Sequence, residues 1–318
     1  MTQDSPIPRV FKDELAGRPN AAYRVLVTVA NPATSDVLLE LALAVARRKK
    51  GEVTILHVVS PPAQASPEEV ERSAGLRRML LETVVSNRRD RTVPVHTITR
   101  VEHRPCLGII ATAREEHCSL IILGWQGHMR RLTFGVSLGQ VLDPVIANAP
   151  CDVAVVKVKG LGHPRRLLVP TAGGPNAILA LDLALALGWR YKAEVTLVNV
   201  GRTGEEEQGR RHIAKTLAGV KTRQRVKQDV ITAEDAAKGI LKEARDYDMI
   251  LLGATHETAF QQVLFGTVPE LVAKRCPKTL IMVKGYRGPL VTLVRRTQVR
   301  WRGAWERLRL RLGRNNGG

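Results

Sequence analysis

Two glycine-bearing stretches, each directly after a run of Ile and Leu, are where residue types and spacing in this 318-residue chain could do chemistry. The first reads Gly124-Trp-Gln-Gly127, then eleven residues, then Gly139-Gln140. The second reads Gly253-Ala-Thr-His256, then nine residues, then Gly266-Thr267. A glycine after a strand lets backbone N–H groups approach phosphate oxygens. A Gly-Thr that opens a helix adds N–H donors and a hydroxyl at the positive end of the dipole. The chemistry indicated is recognition of an anion, a phosphate above all. Ordinary turns explain isolated glycines equally well, so the weight rests on position and spacing. His256 either faces phosphate as a donor or stands in solvent. Thr171-Ala-Gly-Gly-Pro-Asn176 lacks the serines and Asp of a pyrophosphate loop and reads as a tight turn. No Ser-His-Asp set, H-E-x-x-H, G-x-x-x-x-G-K-[ST] or carboxylate pair falls at these loops, so no catalytic residue and no metal site is assigned.

The elements that must position these loops are written twice. LALAVARRKKGEVTIL from Leu41 returns as LALALGWRYKAEVTLV from Leu183, and Arg24-Val-Leu-Val returns as Arg166-Leu-Leu-Val, both 142 residues on. Such an internal repeat makes the fold a pair. Each half alternates short Val, Ile and Leu runs with stretches of helical spacing, which predicts parallel strands covered on both faces. With right-handed crossovers, each half becomes a doubly wound α/β layer. In such sheets the ligand crevice lies beyond the carboxyl ends of the strands, where the loops after strands one and four meet. The linker Lys159-Gly-Leu-Gly-His-Pro164 is short, so the halves are expected to pack as a pseudo-dimer. The domains expected are a flexible lead-in over 1–22, α/β domains over 23–159 and 164–285, and a tail over 286–318.

The net charge of +19 points to anionic partners. From Arg287 onward there are nine Arg and one Glu. Leu290, Val294, Trp301, Trp305, Leu308 and Leu312 recur there at helical spacing, with Arg295, Arg296, Arg300, Arg302, Arg307, Arg309 and Arg311 between them. A basic amphipathic segment over 287–312 suits an anionic membrane surface or a partner, or else folds back on its own domain. Nucleic acid is not expected, because aromatic residues are only 4% and no reading motif appears. Cys106, Cys118, Cys151 and Cys276 are scattered without metal or disulfide spacing, which predicts reduced thiols in a cytoplasmic protein. No apolar run reaches the roughly 18–20 residues that a bilayer span requires.

Position and spacing together resemble the universal stress protein family over residues 23–285. Its nucleotide-binding members carry G-x2-G-x9-G-[ST] after the fourth strand. Half two fits with His256 for the second glycine, while half one has two extra residues and Gln140 for the hydroxyl. The phrases LGWQG…LDPVIANAPCDVAVVK and GATHETAFQQVLFGTVPE look like the paired cytosolic domains of amino-acid permeases and antiporters. The resemblance implies a five-stranded parallel sheet of order 3-2-1-4-5 in each half and a regulatory, non-enzymatic role. It implies ATP or a related adenine nucleotide as ligand, with Mg2+ only if carried by the nucleotide. Gly253, His256, Gly266 and Thr267 would meet phosphates, and Gly124, Gly127 and Gly139 would form a weaker equivalent. The family's Asp after strand one, which helps hold adenosine, is replaced by Ala30 and Ala172. The other reading is an interaction module with decayed nucleotide sites, docked to a transporter or to the inner membrane face through its tail. A homodimer is a further expected partner.

Overall fold

The computed structural model describes residues 10–13, 22–62, 64–86, 88, 90–131, 136–160, 163–255, 264–286 and 288. The chain forms two compact units, Met1–Gly285 and Tyr286–Gly318, and the first holds every element below. The amphipathic stretch over 287–312 therefore lies almost wholly outside the described residues, as does His256.

In the first half the elements are β1 (Val10–Asp13), β2 (Arg24–Thr28), α1 (Pro32–Lys49), β3 (Glu52–Val59), α2 (Pro67–Ser86), β4 (Val95–Val101), α3 (Pro105–Glu115), β5 (Leu120–Trp125), β6 (Arg130–Arg131), β7 (Val136–Ser137), α4 (Leu142–Asn148) and β8 (Asp152–Lys157). The second contains β9 (Arg166–Pro170), α5 (Pro175–Tyr191), β10 (Glu194–Gly201), α6 (Glu206–Ala218), β11 (Val226–Thr232), α7 (Ala236–Glu243), β12 (Met249–Gly253), α8 (Thr267–Arg275) and β13 (Thr279–Lys284). Local chemistry sets the helix ends. Asn31 accepts from Ala33 N ahead of α1, which starts at Pro32. At α2, Ser66 Oγ accepts from Glu69 N while Ser66 N donates to the Glu69 carboxylate, a complete capping box. Lys50 and Lys192, again 142 residues apart, end α1 and α5 in the same left-handed conformation.

Eleven strands form one sheet in the order β1-β4-β3-β2-β5-β8-β13-β12-β9-β10-β11. Within it, each half keeps the order 3-2-1-4-5 with parallel neighbours. The halves join edge to edge, β8 running antiparallel to β13 with Val156 opposite Ile281. One difference from expectation lies in the lead-in. Val10–Asp13, read as part of a loose segment, add antiparallel to the outer edge of β4. Backbone groups on that edge supply the partner that four residues cannot find locally.

Two apolar layers cover the sheet, and each runs across both halves. One gathers α1 and α5 over Val25, Val27, Leu167 and Val169. The other places α3, α4, α7 and α8 over Leu26, Ile121, Leu168 and Ile250. The repeat also shows in the ion pairs. Arg48 meets Asp182 at 3.3 Å, and its equivalent Arg190 meets Glu40, the equivalent of Asp182, at 2.7 Å. Lys157 adds a crossed tie. From β8 its buried ammonium donates to the Ala273 and Cys276 carbonyls at 2.8 and 3.0 Å, closing the C-terminal end of α8 in the other half.

Candidate functional site

At the switch point of half two, β9 and β12 pair only at Leu167–Met249 and Leu168–Ile250. Two short loops flank their carboxyl ends. The first, Thr171–Gly174, is tied down from within. Thr171 N donates to Val198 O at 2.8 Å, and Thr171 Oγ1 accepts from Gly173 N at 2.9 Å while bonding Thr216 Oγ1 at 2.7 Å. Gly173 has φ +75°, and a Cβ there would lie 2.9 Å from His212 Cδ2. The expected tight turn is therefore present, with Ala172 exposed at its tip. Asn199 Nδ2 donates to Thr171 O at 2.7 Å.

The equivalent turn in half one is built alike. Val29 N donates to Leu56 O at 2.9 Å, and His57 Nδ1 donates to Val29 O at 2.5 Å. His57 and Asn199 are 142 residues apart, so an imidazole and an amide do the same work. Burial, followed by the charge of Arg77, holds the His57 pKa below its usual value against the opposing pull of the Val29 carbonyl. Ala30 is exposed, like Ala172.

The second loop begins at Gly253. A Cβ there would meet the Asn176 carbonyl carbon at 2.5 Å, so the end of β12 and the start of α5 touch backbone to backbone. Asn176, buried in that contact, donates through Nδ2 to Ala254 O at 2.7 Å and accepts at Oδ1 from Gly285 N at 2.9 Å. It bridges the ends of β12 and β13. Farther on, Thr255 N donates to Phe265 O at 2.7 Å and closes the loop on itself. Gly266 caps α8 with φ +102°, where a Cβ would fall 1.8 Å from Thr255 Oγ1. Exposed Thr267 is therefore the first residue of the helix. Phe265 N donates to the buried Glu270 carboxylate at 3.3 Å.

Half one repeats this last bond, Leu138 N donating to Asp143 Oδ1 at 2.8 Å. Its glycine differs. Gly139 has φ +128° in open space and precedes the seven-residue α4, which starts only at Leu142. Gln140 thus does not open the helix. Gly127, φ +88°, faces the Lys157 stem, and Gly124 packs against Leu38. The structure brings Ala172, Gly253, Gly266 and Thr267 to the carboxyl end of half two's strands, and Gly124, Gly127 and Gly139 to the same end of half one's.

His57 and Asn199 escaped the sequence reading, and Asn176 entered it only as the end of a tight turn. The 142-residue offset was a signal that would have paired the first two. Nothing marks the bridge made by Asn176 until the two strand ends are placed beside it. Among the described residues, no group of three His, Cys, Asp or Glu gathers as a metal site. The four thiols are buried and free, and burial pushes the Cys118 pKa to about 12, which leaves it unreactive at neutral pH.

The universal stress protein family model matches residues 22–157 and 163–284. The chain is 24% identical over 270 residues to the Na(+)/H(+) antiporter NhaS5 of Synechocystis sp. (strain ATCC 27184 / PCC 6803 / Kazusa). That match covers 82% of this chain but only 38% of the antiporter's length. A universal stress protein from Archaeoglobus fulgidus DSM 4304 superposes with a TM-score of 0.55 at 17% identity, covering 81% of this chain and 97% of that one. The cytoplasmic domain of a prokaryotic cation chloride cotransporter gives 0.56 at 15% identity, covering 83% and 95%. Both share its fold. Among the described residues, no helix is long and apolar enough to cross a membrane.

Proposed function

The chain belongs to the universal stress protein family, and from that premise we propose that it is a non-enzymatic regulatory module that binds an adenine nucleotide of the ATP or AMP type in half two. The observation that carries the proposal is Gly266, whose φ of +102° starts α8 at Thr267 beside the diverging ends of β9 and β12. N–H groups of a first helical turn and the Thr267 hydroxyl are suitable donors to phosphate. His256, which follows Thr255 in sequence, would add a donor. Ala172 stands where the family pattern carries Asp. The missing charged hydrogen bond costs about 1.5–3 kcal/mol, roughly tenfold to a hundredfold in affinity.

Native mass spectrometry of freshly purified protein should show a co-purified nucleotide mass. In calorimetry, Thr267→Val should weaken ATP, whereas Gln140→Ala should not. Ala172→Asp should tighten ATP more than it tightens inorganic triphosphate. Equal effects of the Thr267 and Gln140 substitutions would remove half two's priority.

A second reading has its own support, the likeness to an antiporter and to a transporter's cytoplasmic domain. On this reading the protein is a cytoplasmic interaction module that regulates a membrane transporter, and the glycines serve packing alone. Gly253 fits it, because its missing side chain is accounted for by Asn176.

A further inference from the structure

A second concave surface lies at the amino ends of the strands, away from the switch points. It is a groove of about 870 Å³ formed where the C-terminal turns of α1 and α5 meet the segments leading into β4 and β11. That volume lies within the roughly 300–1,000 Å³ of small-molecule sites. Its lining includes five basic side chains and one acidic. The one carboxylate, Asp90, is already engaged by Arg47 at 2.8 Å and by Thr92. Arg190 is committed to Glu40. Exposed Arg91, Lys192 and Arg225 have no ion pair among the described residues, so the groove presents three uncompensated cations.

Trp189 supplies the other half of the chemistry. Although large and apolar, it is 51% exposed, and the Arg47 guanidinium lies 4.6 Å from its ring centroid. Asp90 also holds Arg47, at 2.8 Å, so the ring and the cation are fixed together. An indole kept at the surface beside free guanidiniums offers a stacking plane and forked donors in one place. A bare anion would use only the donors, and an apolar ligand only the ring.

We propose that this groove binds a small phosphate-bearing aromatic ligand of the nucleotide class, its ring on Trp189 and its phosphates on Arg91, Arg225 and Lys192. This site is independent of the crevice in half two, from which it is separated by the length of the strands.

Full-length protein titrated with ADP tests it, with Trp fluorescence and heat as readouts. ADP should quench Trp fluorescence with an affinity that falls as salt rises, inorganic pyrophosphate should compete, and adenosine should bind at least tenfold more weakly. Arg91→Ala with Arg225→Ala, both on the surface, should raise the ADP Kd at least tenfold at an unchanged melting midpoint. Should that pair lower the midpoint, Arg91→Gln with Arg225→Gln makes the same test. Trp189→Leu should abolish the quench and weaken ADP while leaving pyrophosphate unaffected. Thr267→Val should leave the quench intact. ADP causing no quench, or quenching the Arg91/Arg225 variant as it does the parent, overturns the proposal. A quench lost in Thr267→Val but kept in the double variant does so as well, and assigns ADP to the crevice instead.

Discussion

Gly266 and Gly139 occupy equivalent places but face different demands. Gly266 combines a left-handed φ with a Cβ direction blocked at 1.8 Å, whereas Gly139 has only the φ. Gly266→Ala should therefore destabilise the protein by more than the roughly 1–3 kcal/mol of backbone strain alone, and Gly139→Ala by about that strain. Urea denaturation of the two variants measures the difference. A substitution at Gly266 moves the loop, whereas Thr267→Val leaves its backbone in place.

His57 allows a sharper test. Its native pKa lies below the usual value, so as pH falls through about 6.5 the unfolded chain takes up a proton that the native state refuses. Stability present above that pH is lost below it, until the native imidazole also protonates. His57→Asn copies what half two already has in Asn199 and should keep the bond to the Val29 carbonyl. Its urea midpoint should fall less between pH 7 and about 5 than that of the parent. An identical fall in both would mean that His57 is not the titrating group.

Among the elements, Lys157 is the clearest example of one half completing the other. Lys157→Met keeps the aliphatic stem but leaves the Ala273 and Cys276 carbonyls without their donor. Loss of these charged hydrogen bonds should cost about 1.5–3 kcal/mol, read from chemical denaturation. The sequence could not have placed this tie. It displayed the strands and helices, because Val, Ile and Leu runs alternate with 3.6-residue periodicity, and it displayed the pairing of halves through the constant offset. It could not show which edges meet. The antiparallel junction of β8 and β13 has no local signature, and VFKD becomes β1 only because β4 offers an edge. The candidate site divides similarly. Gly266 and Thr267 were legible from their spacing, but Gly253 turned out to be pressed against Asn176, a contact made by residues 77 apart in sequence.

For the whole molecule, the net charge of +19 calls for an anionic partner. We propose that the nine Arg after residue 286, almost all outside the described residues, meet anionic lipid. Near anionic lipid each contributes about 1 kcal/mol, falling off within a Debye length of roughly 8 Å at physiological salt. Full-length protein should therefore co-sediment with anionic vesicles, weaken with salt, and lose binding when cut after Gly288. Equal sedimentation of both forms would dismiss the membrane role. β1 occupies the outer edge of β4, while among the described residues no strand lies on the outer edge of β11. β1 is itself an edge strand, four residues long against the seven of β4, so that border is shortened rather than closed. Among the described residues, the β11 border offers seven residues of backbone to an incoming strand and the β1 border four. A strand from another molecule would find its longer template at β11.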